Sequence, residues 1–343
     1  MEASGANQMM RAARLNEIGG PWSLRVEDIP IPKPGPREVL VRLRAAALNR
    51  RDVFITQGLY PGIVLPRTLG ADGAGEIVEA APGATAPPAG TEVMIDPMLG
   101  WGLSGDAWDP ETSNILGMPV DGTFAQYVRV PETAIYVKPP RLSIQQAAAI
   151  PLAGLTAYRS TMVRGDVRAG QTVLITGIGG GVATFALLFA KQAGARVIAT
   201  SRSEEKLERA RQLGADVTYN YETQPNWHKE CKARETLEVV IDSSGGDTLA
   251  KALDALRPGG RIVVYGGTRG ESTIKLFPLF WKHLSLLGTS MGSPQDFAAM
   301  LELIERADLQ PAIDSVHPLE DIVQAAERMA ASDQFGKVVL TID

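Results

Sequence analysis

Thr172-Val-Leu-Ile-Thr-Gly-Ile-Gly-Gly-Gly-Val-Ala183 is the stretch on which the fold turns. It starts as a short apolar strand, breaks into glycines and resumes as an apolar helical run from Val182 to Ala190. Glycines between a buried strand and a helix allow a tight turn. They also leave bare backbone N–H groups free to meet a pyrophosphate at the positive end of the helix. Gly177, Gly179, Gly180, Gly181 and Val182 are therefore the candidate cofactor cradle, and Ala183 is small enough for close helix–strand packing. Glycine-rich strand–helix turns are common, so the following unit has to carry the weight.

That unit is a second strand, residues 196–200, ending in Thr200-Ser201-Arg202 about 18 residues beyond Ala183. An acidic residue there would grip a ribose 2′-hydroxyl. Ser201 and Arg202 stand in its place, with Lys206 one helical turn on. A hydroxyl and cations suit a 2′-phosphate, which a carboxylate would repel, so NADPH is the expected cofactor. The bland alternative is that Arg202 and Lys206 are solvated cations at a helix start. Further apolar strands at 239–242, 261–265 and 284–288 alternate with helical segments, which predicts an α/β doubly wound parallel sheet. Asp242-Ser243-Ser244-Gly245 and Tyr265-Gly266-Gly267 fall at strand carboxyl ends, where this architecture binds cofactor. Ser244 and Gly266 join the candidate cofactor residues for that reason.

Outward from this core the texture changes. Residues 10–15, 39–47 and 75–80 read as strands, punctuated by Gly19-Gly20-Pro21 and Pro34-Gly35-Pro36. Residues 97–119 form a long aperiodic segment that Trp101 and Trp108 are expected to pin to the body. Ser143 followed by Gln146 marks a helix start. Beyond residue 314 come one helix (320–330) and a strand (337–342) that would return to the first domain. The 343 residues suffice for about two domains. A formal charge of −5 offers no field for nucleic acid or anionic lipid. No apolar run approaches the roughly 20 residues that span a bilayer, residues 1–8 lack a secretion-signal pattern, and the single cysteine fits a reducing compartment. The cytoplasm is the expected location.

Over essentially its whole length the chain resembles the medium-chain dehydrogenase/reductase superfamily, in its zinc-free quinone oxidoreductase and enoyl reductase branch. Besides the glycine turn, the motifs are Ala46-Ala-Leu-Asn-Arg-Arg-Asp52, Thr68-Leu-Gly-Ala-Asp-Gly-Ala-Gly75, Ala148-Ala-Ile-Pro-Leu-Ala-Gly-Leu-Thr-Ala157, Leu213-Gly-Ala-Asp216, Pro258-Gly-Gly-Arg261 and Gly336-Lys-Val-Val339. The resemblance implies a GroES-like catalytic domain over residues 1–140, completed by 312–343, and a Rossmann domain over 141–311, with the active site in the cleft between them. Zinc-dependent members carry cysteine where this chain has Asn49, and Gly-His-Glu where it has Gly70-Ala71-Asp72. The sole cysteine, Cys231, and the three histidines, His228, His283 and His317, all follow residues 1–140, the segment that matches the zinc-ligand positions of those members. No zinc site is expected from that inventory.

Without a metal to polarise a C–O bond, the substrate must already be electrophilic: a quinone, or a C=C conjugated to a carbonyl. In zinc-free relatives the residue matching Asn49 sits beside the nicotinamide ribose. Asp52 either orients it or caps a helix. Tyr60, in Gln57-Gly-Leu-Tyr-Pro61, resembles the proton-donating tyrosine of enoyl-thioester reductases, although it serves equally as an aromatic closing the pocket. Thr156 resembles the threonine facing the nicotinamide and Tyr221 a tyrosine near the 2′-phosphate. Lys337 either reaches the cofactor phosphates or caps the last strand. An enoyl-thioester reductase is the second reading, and a non-catalytic NADPH-binding sensor or structural protein the third. Relatives commonly join sheet edges, so residues 284–290 are expected to form the seam of a homodimer or homotetramer.

Overall fold

A computed structural model describes residues 8–343, so of the segment read above for a secretion signal all but Gln8 lies outside the described residues. The chain divides into two units, one comprising residues through Leu152 with Ser293–Asp343, the other Ala153–Gly292. No described helix is long and apolar enough to cross a membrane.

In the second unit the five apolar strands foreseen around and after the glycine turn, with Val217–Asn220 added at one edge, form a six-stranded parallel sheet. Its order is Val217–Asn220, Arg196–Ser201, Thr172–Ile175, Leu237–Asp242, Arg261–Val264, Ser285–Gly288. Leu174, Ile198, Val240 and Ile262 are fully buried, as expected of parallel strands covered on both faces. Strand order reverses between Thr172–Ile175 and Leu237–Asp242, which makes their carboxyl ends the switch point where ligands bind in such sheets. A π-helical segment, Arg159–Arg164, was not foreseen.

The first unit is built on a β-sheet whose central strand, Glu38–Ala47, pairs with Asp72–Ala80 and with the carboxyl-terminal strand Lys337–Thr341. The closing strand does return, and its register matters. Ala47 lies opposite Asp72 on one side and Val339 on the other, so the start of Asp72–Ala80, the exit toward Asn49 and the start of Lys337–Thr341 converge. Gly336 turns the chain into that last strand at φ +101°, where an added Cβ would lie 2.1 Å from the Ala312 carbonyl oxygen. Only glycine fits there.

The boundaries fall elsewhere than at 140/141 and 311/312. Helix Ile144–Ala148 has the foreseen capping box, Ser143 Oγ accepting from Gln146 N and Gln146 Oε1 from Ser143 N, but it packs on the strands of the first unit. Helix Pro294–Ala307 belongs there too, because the Phe297 ring packs at a tilt against that of Tyr136, centroids 4.5 Å apart, and Tyr136 Oη donates to Pro294 O. Residues 97–119 hold two short strands, Met98–Leu99 and Asn114–Leu116, and the start of a third, Pro119–Val120. Trp101 is buried and anchors the segment as expected, but Trp108 is half exposed and does not.

Candidate functional site

In the second unit the glycine cradle is open. Gly177 and Gly179 take φ of +64° and +130°, and a Cβ on Gly180 would meet nothing within 4 Å. Gly180 caps the twelve-residue helix Gly181–Gln192, whose first turn holds no acid. Gly181 and Val182 are partly exposed at that positive end. Beside it, Asp242 is fully buried. It accepts from Thr176 Oγ1 at 2.5 Å and Gly245 N at 2.9 Å, tying the two switch-point strands together. Burial pushes its carboxyl up despite those bonds. Ser244 is buried beside Gly177, and Gly266 approaches the Ser243 carbonyl. The residues present therefore fit a dinucleotide.

The next strand end gathers the expected discriminators. Ser201 is buried and its carbonyl accepts from Tyr221 N at 3.1 Å. Arg202 is exposed and ion-pairs with no described carboxylate. Lys206 stands in the first turn of helix Glu204–Gln212, its N–H donating to the Ser203 cap. Arg269, which the sequence reading missed, lies over the Tyr221 ring at 5.6 Å. A loop cation has no periodicity by which to be found. Thr156 is buried, and its carbonyl accepts from Ser160 Oγ.

In the first unit, the convergence of strands brings Asn49, Asp72 and Lys337 together. Lys337 Nζ donates to Asn49 Oδ1 and Asp72 Oδ2, each at 2.7 Å. Asn49 Nδ2 donates to Asp72 Oδ2 at 2.9 Å, and Asp72 Oδ1 accepts from Leu152 N at 2.7 Å. Asp72 is 0% and Lys337 2% exposed. Lys337 thus neither extends to a cofactor phosphate nor caps a strand; its ammonium is turned inward and neutralises a carboxylate. Asp72 was not singled out as a site residue, although an acid at the head of an apolar strand could have signalled it.

Asp52 takes the capping role. Its Oδ2 accepts from Asn49 N at 2.7 Å, closing the first turn of helix Arg50–Thr56. Its other oxygen is buried with no partner. Burial raises its carboxyl to about 6, against the opposing pull of the Arg51 charge. Tyr60 is partly exposed and accepts a hydrogen bond from Arg51 Nε at 3.3 Å, while the guanidinium covers its ring at 4.9 Å.

These residues do not suit zinc. No group of three His, Cys, Asp or Glu side chains is placed to hold a metal among the described residues. At Asn49 and Asp72 the charge is already met by the Lys337 ammonium. Cys231 is buried in the second unit and belongs to no group of metal-binding side chains among the described residues; burial pushes its thiol up to about 12.

The chain matches the family model described as alcohol dehydrogenase GroES-like domain over residues 35–140 and that described as zinc-binding dehydrogenase over 181–306. It is similar to a zinc-type alcohol dehydrogenase-like protein of Leptosphaeria maculans, 37% identical over 94% of this chain and 95% of that one. It is 30% identical to the quinone oxidoreductase of Homo sapiens over 98% of both chains. A crystal structure named for an NAD-dependent alcohol dehydrogenase is 40% identical, with TM-score 0.92 over 97% of this chain and 100% of that one.

Proposed function

We propose, since the chain belongs to the medium-chain dehydrogenase/reductase superfamily, that it is an NADPH-dependent reductase delivering hydride to a quinone or an α,β-unsaturated carbonyl without a metal ion. The observation that carries this reading is Lys337. At positions where zinc members of the family hold ligands, Asn49 and Asp72 are bound to a buried ammonium. Oxidising an alcohol needs an alkoxide stabiliser, and a lysine whose bonds go to Asn49 and Asp72 is poorly placed to act as one. A conjugated carbonyl or quinone accepts hydride unaided and asks only for orientation, hydrogen bonds and, at carbon, a proton.

Reading the relatives by their names would instead give an NAD-dependent alcohol dehydrogenase. A cofactor panel separates the two. NADPH should be consumed with menadione, crotonaldehyde or crotonyl-thioester, while NAD⁺ with primary and secondary alcohols should give no turnover. Preference for the thioester would favour the enoyl-thioester reading, and tight NADPH binding with no oxidation by any acceptor would favour a non-catalytic binder. Alcohol oxidation with NAD⁺ as the dominant activity would overturn the proposal.

Ser201, Arg202 and the Arg269–Tyr221 pair support NADPH over NADH. A charge-assisted bond to a phosphate contributes about 1.5–3 kcal/mol. Arg202→Ala should therefore weaken NADPH about tenfold or more in a fluorescence titration and leave NADH nearly unchanged. Equal affinities in the unaltered protein would contradict the assignment.

A second copy of the chain is the proposed partner. Strand Ser285–Gly288 ends the sheet, and helix Leu276–Trp281 buries none of its residues. Leu276, Phe277, Phe280 and Trp281 each expose about two-thirds of their surface. At 150–250 Å² per aromatic this is roughly 500 Å², against the about 800 Å² per partner of a standard interface. Light scattering should give a dimer or a multiple of it, and Phe277→Asp with Trp281→Asp should shift the mass to monomer. A monomer for the unaltered protein at micromolar concentration would end the idea.

A further inference from the structure

We propose that Arg51 is a positioning residue that holds the Tyr60 hydroxyl as a hydrogen-bond acceptor, so that the phenol's own proton is kept for the substrate. This rests on the reductase reading above. Arg51 is only 9% exposed, and no described carboxylate lies within ion-pair distance of it. Its terminal nitrogens are fixed by the carbonyls of Leu116 at 2.7 Å and Met118 at 3.1 Å. That leaves Nε facing Tyr60 Oη at 3.3 Å, with the guanidinium 4.9 Å from the ring centroid. The guanidinium, anchored on two neutral carbonyls, thus faces the phenol with no ion-pair partner among the described residues.

Tyr60 supplies the second, independent observation. Its oxygen accepts from Arg51, and its O–H donates to no described protein atom. An oriented phenol whose proton has no internal acceptor can give that proton to a ligand. In enone reduction, hydride adds to the β-carbon and the π electrons become an enolate. The Tyr60 O–H bond then breaks, a C–H bond forms at the α-carbon, and the resulting phenolate is stabilised by Arg51 Nε–H until water returns a proton. The 3.3 Å contact is long for a neutral phenol; it gains strength when the oxygen becomes anionic, because charge-assisted bonds are shorter and stronger.

The test uses carvone, an α-methyl enone whose product carries a new stereocentre at the α-carbon, and menadione, which needs no carbon protonation. The readouts are the carvone-to-menadione ratio of kcat/KM and the α-configuration of the dihydrocarvone formed. Both substrates are assayed on the same sample, so any unfolded fraction cancels in the ratio. Arg51→Met should lower the ratio about tenfold or more and turn a single product configuration into a mixture. Arg51→Lys should recover part of each. Adding Arg51→Met to Tyr60→Phe should lower the ratio no further. An unchanged ratio and configuration in Arg51→Met, with only the melting temperature reduced, would make Arg51 a strut and overturn the assignment. An unaltered protein that reduces neither substrate with NADPH overturns the reductase reading, and the positioning role with it.

Discussion

Tyr60→Phe is expected to lower turnover of enals and enoyl-thioesters by roughly 10²–10⁴-fold, the usual contribution of a positioned general acid. Quinone reduction should fall much less. The difference comes from where the proton must go. Hydride delivery to an enoyl compound leaves carbon to be protonated, a slow step without a donor in place, whereas hydroquinone oxygens exchange with water unaided. Phenylalanine keeps the ring that Arg51 covers and removes only the hydroxyl, so the local packing should survive. Steady-state kcat/KM on crotonaldehyde and menadione decides it. Equal losses of a few fold on both would mean that Tyr60 merely closes the pocket and that solvent supplies the proton.

The second large effect is on stability. Lys337→Met should cost about 3–5 kcal/mol, the usual penalty for removing one partner of a buried ion pair, and folded domains have only 5–15 kcal/mol to lose. Methionine fills much of the lysine's volume but leaves the Asp72 carboxylate, at 0% exposure, without its counter-charge. It also strips Asn49 Oδ1 of its donor. Asp72→Asn added to Lys337→Met removes the stranded charge, so the double variant should be more stable than the single one. Urea unfolding of the three proteins measures this. A loss below about 1 kcal/mol in Lys337→Met, the range of a surface ion pair, would mean that the pair is solvated rather than buried.

The same residues mark how far the sequence could be read. The glycine turn and the strand after it were legible because their signals are local. The glycines follow their strand directly, Ser201 and Arg202 sit at a fixed spacing beyond, and Ser143 with Gln146 forms a capping box within one turn. The first unit depends on distant pairing. A lone lysine opening a strand looks like a solvated cap, and only the pairing of Lys337–Thr341 with Glu38–Ala47 buries it against Asp72, 265 positions away in sequence. Arg51 follows Arg50 at a helix start and reads as surface charge, yet its partners are carbonyls in a turn more than 60 residues on. The domain boundaries moved for a related reason. Composition changes near residue 142, but the helices Ile144–Ala148 and Pro294–Ala307 side with whichever sheet they pack on. The strand Val217–Asn220 escaped notice because Val-Thr-Tyr-Asn is too short and too polar to show a period.

The most direct measurement combines metal content with turnover on one preparation: elemental analysis of untagged protein, then NADPH oxidation by menadione before and after exhaustive dialysis against a chelator. The expected result is substoichiometric zinc and undiminished NADPH oxidation after chelation. Tightly held zinc at one equivalent per chain, with activity lost on its removal and restored on its return, would contradict a reductase in which Lys337 has taken over the charge that a metal would supply.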